Sequence, residues 1–90
     1  MTSCQATVKN GYGIHCRPSA VIAKEARSYD GNIQICDEHG NCATAANALE
    51  LIGLGIHCGQ TVTIQVSGTD ETVMCKRMTE LFETEFDFER

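Results

Sequence analysis

The chain has 90 residues, 42% of them apolar, enough for one compact domain with a single core and too few for two. Its formal charge of -5 excludes a general nucleic-acid binder, which would need clustered Lys and Arg to neutralise phosphates. There is no run of about 18 apolar residues, and no basic region leads into an apolar one at the N-terminus, so the chain is expected to be cytoplasmic without inserting in a membrane.

Residues 3–9 place Ala6 and Val8 on one side and Thr7 and Lys9 on the other, the period of a strand with one wet face. Asn10-Gly11-Tyr12-Gly13 breaks that period with two glycines and predicts a loop that delivers His15 to a helix. The helix is predicted from about Cys16 to about Ser28, because Pro18 suits a first turn, where its missing N–H costs no intrahelical bond. Ile22, Ala26 and Tyr29 then form an apolar stripe, and Arg17, Lys24 and Arg27 a basic face. Asp30-Gly31-Asn32 carries the chemistry of a helix stop and turn.

Ile33 to Cys36 and Cys42 to Thr44 read as two strands of a hairpin, joined by Asp37-Glu38-His39-Gly40-Asn41 with Gly40 suited to a positive φ. A short helix follows, in which Asn47 at the N-cap and Glu50 three residues on approximate a capping box. Its Ala48, Leu49, Leu51 and Ile52 offer more apolar surface than one core contact needs, so part of it is expected to be an interaction patch. After the glycines at 53, 55 and 59, Val62, Ile64 and Val66 alternate with Thr61, Thr63 and Gln65 in the clearest strand of the chain. Gly68-Thr69-Asp70-Glu71 is read as the cap of a last helix running to about Glu83, with Met74, Met78 and Leu81 on its apolar side. The order βαββαβα with clean alternation predicts an α+β open-faced β-sandwich, a four-stranded antiparallel sheet covered on one face by three helices. Only the tail Phe86-Asp87-Phe88-Glu89-Arg90 has no evident place.

Six cysteines, at 4, 16, 36, 42, 58 and 75, would suggest a disulfide framework in a secreted chain. In a reducing cytoplasm most are instead expected to be small, buried, unreactive core residues. Cys36, His39 and Cys42 are closely spaced, but Cys-x2-His-x2-Cys is not a standard zinc pattern and no Cys-x2-Cys pair exists. No metal and no cofactor are expected.

His15 precedes the first helical turn, where unpaired N–H groups and the positive end of the macrodipole favour an anion. A histidine with an ordinary pKa of about 6.5 is mostly neutral near pH 7, so its ring nitrogen is available as a nucleophile. A phosphoryl group placed there could be met by the first-turn N–H groups, that of Cys16 among them, and by the Arg17 guanidinium. There is no Gly-x4-Gly-Lys-Ser/Thr loop and no evident base or metal-binding acid near His15, so the domain is not expected to catalyse transfer alone. Glu80, Glu83, Glu85, Asp87 and Glu89 make the C-terminus acidic, so the basic helix face should dock on an acidic partner.

The stretch Gly13-Ile14-His15-Cys16-Arg17-Pro18-Ser19-Ala20, with Lys24-Glu25-Ala26-Arg27, Leu54-Gly55 and Gly68-Thr69-Asp70-Glu71, closely resembles HPr, the histidine-containing phosphocarrier family of the bacterial sugar phosphotransferase system. The likeness covers nearly the whole chain in the same order of elements. It implies a relay that takes a phosphoryl group from enzyme I, itself charged by phosphoenolpyruvate, and passes it to the A domains of sugar-specific permeases. It further implies that His15 is phosphorylated through Nδ1 and that Arg17 steadies the phosphate. Arg17, Ala20, Lys24 and Arg27, with Ala48, Leu49 and Ile52, would then form the docking surface of a monomer. Two positions depart from the family. Asn47 stands where many members carry a serine phosphorylated for regulation, and it has no hydroxyl. Cys16 stands where Thr or Ala is common, and a thiol at a helix N-terminus beside an arginine could oxidise or bind metal. The competing expectations are a regulatory binding module of the same fold, indifferent to His15→Ala, and a redox- or metal-responsive protein using Cys16, His57 and Cys58.

Overall fold

The computed structural model describes residues 1–9 and 16–84, the side chains of Cys16 and Arg17 excepted. Its elements are β1 (Thr2–Thr7), α1 (Cys16–Arg27), β2 (Asn32–Cys36), β3 (Cys42–Thr44), α2 (Ala48–Gly53), β4 (Thr61–Ser67) and α3 (Glu71–Phe82), the predicted order. The strands form one antiparallel sheet in the order β1-β4-β2-β3. Register aligns Cys4 with Ile64, Ile64 with Ile35, and Ile35 with Ala43, so that one row of inward side chains crosses all four strands. Ala6 with Val62 and Ile33 with Val66 add neighbouring rows. The other face carries Ser3, Gln5, Gln34, Thr44, Thr63 and Gln65, polar but uncharged, as the alternation requires.

All three helices cover the apolar face. α3 lies across β1 and β4 and buries Met74, Cys75, Met78, Leu81 and Phe82. α1 packs beside α2 and α3 and buries Ile22, Ala23 and Ala26. An ion pair from Arg77 Nε to Glu25 Oε2, at 3.4 Å, links the two longer helices. No helix among the described residues is long and apolar enough to cross a membrane.

Three local details depart from the sequence reading. The inward alternation of β1 does continue to Val8, yet Val8 N–H donates to Gln60 O at 2.9 Å and Val8 O accepts from Gly59 N–H at 2.8 Å. Those partners belong to a turn in which Gly59 has φ 92°, so the regular strand stops at Thr7. At the start of α3, Asp70 occupies the cap position with φ 52° and makes no side-chain capping bond. The Glu71 carboxylate turns back to residues outside the helix: Oε2 accepts from Gly68 N–H at 3.0 Å, and Oε1 accepts from the Thr2 hydroxyl at 2.9 Å and lies 3.2 Å from the N-terminal amine. The Gly68 N–H, then the Thr2 hydroxyl and the amine, hold the Glu71 carboxyl below its usual range.

The third departure concerns the cysteines. Cys4 with Cys75 and Cys36 with Cys42 form disulfides, contrary to the expectation of mostly unpaired core thiols. The cause is topological: α3 crossing β1 brings the Cα atoms of Cys4 and Cys75 to 6.3 Å, and hairpin register sets Cys36 directly opposite Cys42. In the hairpin turn, Asp37 Oδ1 accepts from the N–H groups of His39 at 2.8 Å and Asn41 at 2.9 Å. Burial pushes the Asp37 carboxyl up, but these N–H groups and the Asn41 amide outweigh it and leave it below its usual range.

Candidate functional site

α1 is twelve residues long with no acidic side chain in its first turn. Cys16 is its first residue, so the Cys16 N–H belongs to the set that has no intrahelical partner. His15 and the Arg17 side chain lie outside the described residues. The outward side of α1 is described, and it exposes Ala20, Lys24 and Arg27 at i, i+4 and i+7. Lys24 has no carboxylate within ion-pairing distance among the described residues. Val21 was not anticipated there, yet it is 38% exposed, because one residue of helix rotation turns it away from the buried position of Ile22.

α2 presents the apolar half of this surface. Leu51 alone is fully buried, Ala48 and Ile52 are half-buried, and Leu49 is 80% exposed. So brief a helix is held by its start. Asn47 Oδ1 accepts from Glu50 N–H at 3.2 Å, and Asn47 Nδ2 donates to Glu50 Oε2 at 3.3 Å. The other Glu50 oxygen accepts from Thr44 N–H at 2.9 Å, which ties the helix to the end of β3. This is the expected capping pair with its return bond moved to Thr44. Arg27 Nη1 donates to Ala46 O at 3.1 Å, joining the last turn of α1 to the residue before that cap. The structure thus brings Arg27, a predicted docking residue, to the start of the apolar patch and gives it a bond that the sequence did not disclose. A basic residue in the last turn of a helix is a general signal for carbonyl bonding, but its own helix C-terminus was the nearer candidate.

His57 and Cys58 are exposed in the turn between α2 and β4, where His57 N–H donates to Gln60 Oε1 at 2.7 Å. Among the described residues no three ligating side chains gather in a metal-binding group. What the described surface offers is therefore a set of exposed residues, basic on α1 and apolar on α2, with the first turn of α1 following directly after His15 in the chain.

Comparison with known proteins adds the family. Residues 2–84 match the family PTS-HPr, described as the PTS HPr component phosphorylation site. The phosphocarrier protein HPr of Mycoplasma pneumoniae is 34% identical over 71 residues, which are 79% of this chain and 81% of that protein. Its counterpart in Mycoplasma genitalium is 31% identical over a stretch of the same length, with the same coverage. Among solved structures, HPr-C-His from Thermoanaerobacter tengcongensis superposes with a TM-score of 0.87 over 100% of both chains at 26% identity. A resemblance seen first in Gly13 to Ala20 extends, then, to the whole sheet and its three helices, and the chain belongs to the HPr family, the phosphocarriers of the phosphotransferase system.

Proposed function

We propose that the chain accepts a phosphoryl group on His15 from phosphorylated enzyme I and passes it to the A domains of sugar-specific permeases. The supporting observation is the exposure of Ala20, Lys24 and Arg27 on α1 and of Leu49 on α2, two helices that pack together and are joined by the bond from Arg27 to Ala46, with α1 entered from His15. In the transfer, a lone pair of neutral His15, through Nδ1, attacks phosphorus while the donor's bond to phosphorus breaks and the donor keeps that electron pair. The first-turn N–H groups, that of Cys16 included, and the Arg17 guanidinium meet the phosphoryl oxygens. Helix-end interactions of this kind contribute about 0.3–2 kcal/mol, which suits a group that must leave again.

The chain is a substrate of enzyme I rather than a catalyst by itself, and it works in the cytoplasm as one domain and a monomer, without nucleic acid, membrane insertion or cofactor. Ala48 and Ile52 flank Leu49 in the contact. Asn47 caps α2 at the position of the family's regulatory serine and cannot be phosphorylated there.

Intact mass after incubation with phosphoenolpyruvate and a bacterial enzyme I tests the reading. The wild type should gain one acid-labile phosphate and His15→Ala none. An unmodified wild type, in a tube where an authentic carrier is charged, would rule the relay out.

A further inference from the structure

We propose that Cys36 and Cys42 are a reversible dithiol–disulfide couple, a modification site that exchanges with small thiols and dithiols while the fold stays intact. Both residues point away from the helices, on the sheet face shared with Thr63 and Gln34, and Cys42 is exposed while Cys36 is half-buried. A thiolate in solution can therefore reach a sulfur of the pair without any opening of the core. The other disulfide is differently placed: Cys75 is 2% exposed on the inward side of α3, Cys4 is half-buried against the core, and that bond ties the helix to β1.

The hairpin does not rely on its sulfur bridge. Asp37 N–H donates to Asn41 O at 2.8 Å, the Asp37 carboxylate accepts from His39 and Asn41, and β3 keeps its ladder to β2 from Gln34–Thr44 to Cys36–Cys42. The bridge closes a loop with a sequence separation of only 6, against 71 for the other, and a short loop constrains the unfolded chain far less. Reduction of Cys36–Cys42 thus leaves two thiols facing each other at the same register, positioned to re-form the bond.

The exchange balances as follows. A thiolate of the reductant attacks Cys42 Sγ, the Cys36 sulfur leaves as thiolate, and a second thiolate of the reductant displaces Cys42 from the mixed disulfide. Two electrons and two protons enter the protein, and the reductant ends as its own disulfide.

The oxidised wild-type protein, incubated under native conditions with dithiothreitol, sampled over time, alkylated with N-ethylmaleimide and mapped by peptide mass, provides the test. Cys36 and Cys42 should be labelled together, roughly tenfold or more faster than Cys4 and Cys75, with an unchanged far-UV circular dichroism spectrum. Removal of the reductant in air should return both to the unlabelled state. In Cys42→Ser, glutathione disulfide should leave a stable glutathione adduct on the Cys36 peptide, whereas the reduced wild type should resolve any adduct into the internal bond. Labelling of both residues before any reductant, reduction of the two pairs at one rate with loss of the spectrum, or a Cys36 in Cys42→Ser that takes no glutathione would each overturn the proposal.

Discussion

Arg27 and Ala46 are joined by a hydrogen bond from Nη1 to the backbone carbonyl at 3.1 Å, and the contact fixes how the basic helix meets the apolar one. Because the bond is exposed, Arg27→Ala should cost only about 0.5–1.5 kcal/mol of stability in urea denaturation. Phosphoryl transfer from enzyme I should fall further than that loss explains, since a positive charge is removed from the surface proposed to meet the partner. Arg27→Lys keeps the charge without the planar fork and should fall between wild type and Ala in the transfer rate.

Leu49 and Leu51 stand two residues apart on α2 with opposite exposure, 80% and 0%. Leu51→Ala should destabilise the protein by about 2–5 kcal/mol through loss of packing and a cavity. Leu49→Ala should change stability by no more than about 0.5 kcal/mol. Its effect should be confined to the transfer rate with enzyme I, measured at equal protein concentration. A wild-type rate in Leu49→Ala would remove Leu49 from the docking surface.

Asn47 holds a six-residue helix at its start, so its replacement should be felt well beyond one bond. Asn47→Ala should cost about 1 kcal/mol, and Asn47→Ser should restore most of it, because a serine hydroxyl can accept from the same Glu50 N–H. Thermal unfolding of the three proteins at one pH provides the comparison. Asn47→Ser also places a hydroxyl at the cap and, on the proposed correspondence with the family's regulatory serine, should become a substrate for an HPr kinase, read as added mass.

Glu71 has a carboxyl held below its ordinary value of 4.5 in the folded protein. A depressed folded pKa contributes stability that is present above the unfolded value and lost as pH falls through the folded one. The contribution of Glu71 to the Tm of the wild type should therefore hold near neutrality and be lost as pH falls through 4.5 and below. Glu71→Gln should start lower at neutral pH and show a shallower acid limb, without becoming flat, because Asp37 is depressed in the same direction.

Gly31 sits where the start of β2 meets the end of β4. A Cβ built there would lie 2.2 Å from Ser67 O and 2.7 Å from the Tyr29 ring. Gly31→Ala should destabilise by roughly 1–3 kcal/mol, because the obstacle is backbone and cannot rotate aside. The Tyr29 hydroxyl, buried without a partner among the described residues and raised above the usual phenol range by burial, then by Glu71, Asp30 and Asp70, belongs to the same tight corner.

The sheet was legible wherever a strand has one wet face, because alternation is a local signal. Val62, Ile64 and Val66 announced β4, and Ile33 and Ile35 announced β2. α2 was legible in six residues only because Asn47 and Glu50 mark its start. Relationships between distant residues were not legible. The Cys4–Cys75 bond depends on how α3 crosses β1, 71 residues away, and no spacing rule encodes that crossing. The same holds for Glu71 reaching Thr2, and for Arg27, whose charge was read as surface while its guanidinium bonds Ala46. At the start of α3, Gly68-Thr69-Asp70-Glu71 was legible as the cap, but not that Asp70 would take a left-handed backbone with no side-chain capping bond. For the candidate site, the exposed basic side of α1 and exposed Leu49 follow from helical periodicity and from apolar excess, whereas His15 and Arg17 rest on the Gly13 to Ala20 stretch and on chemistry.

Among the described residues β1 pairs with β4 and with no other strand, and β4 also carries β2. In a chain made from its N-terminus, the first strand is therefore finished about 60 residues before its partner. At typical synthesis rates of 5–20 residues per second, that is a wait of about 3 to 12 s. Throughout it Ala6 and Val8 have no β4 to join, and once β3 is made the β2–β3 hairpin has an open edge where β4 belongs. Only residues 61–67 can pair with both sides, so the sheet cannot close before they are made, and a chain arrested before that point leaves both the β1 and the β2 edge without its partner and open to its neighbours.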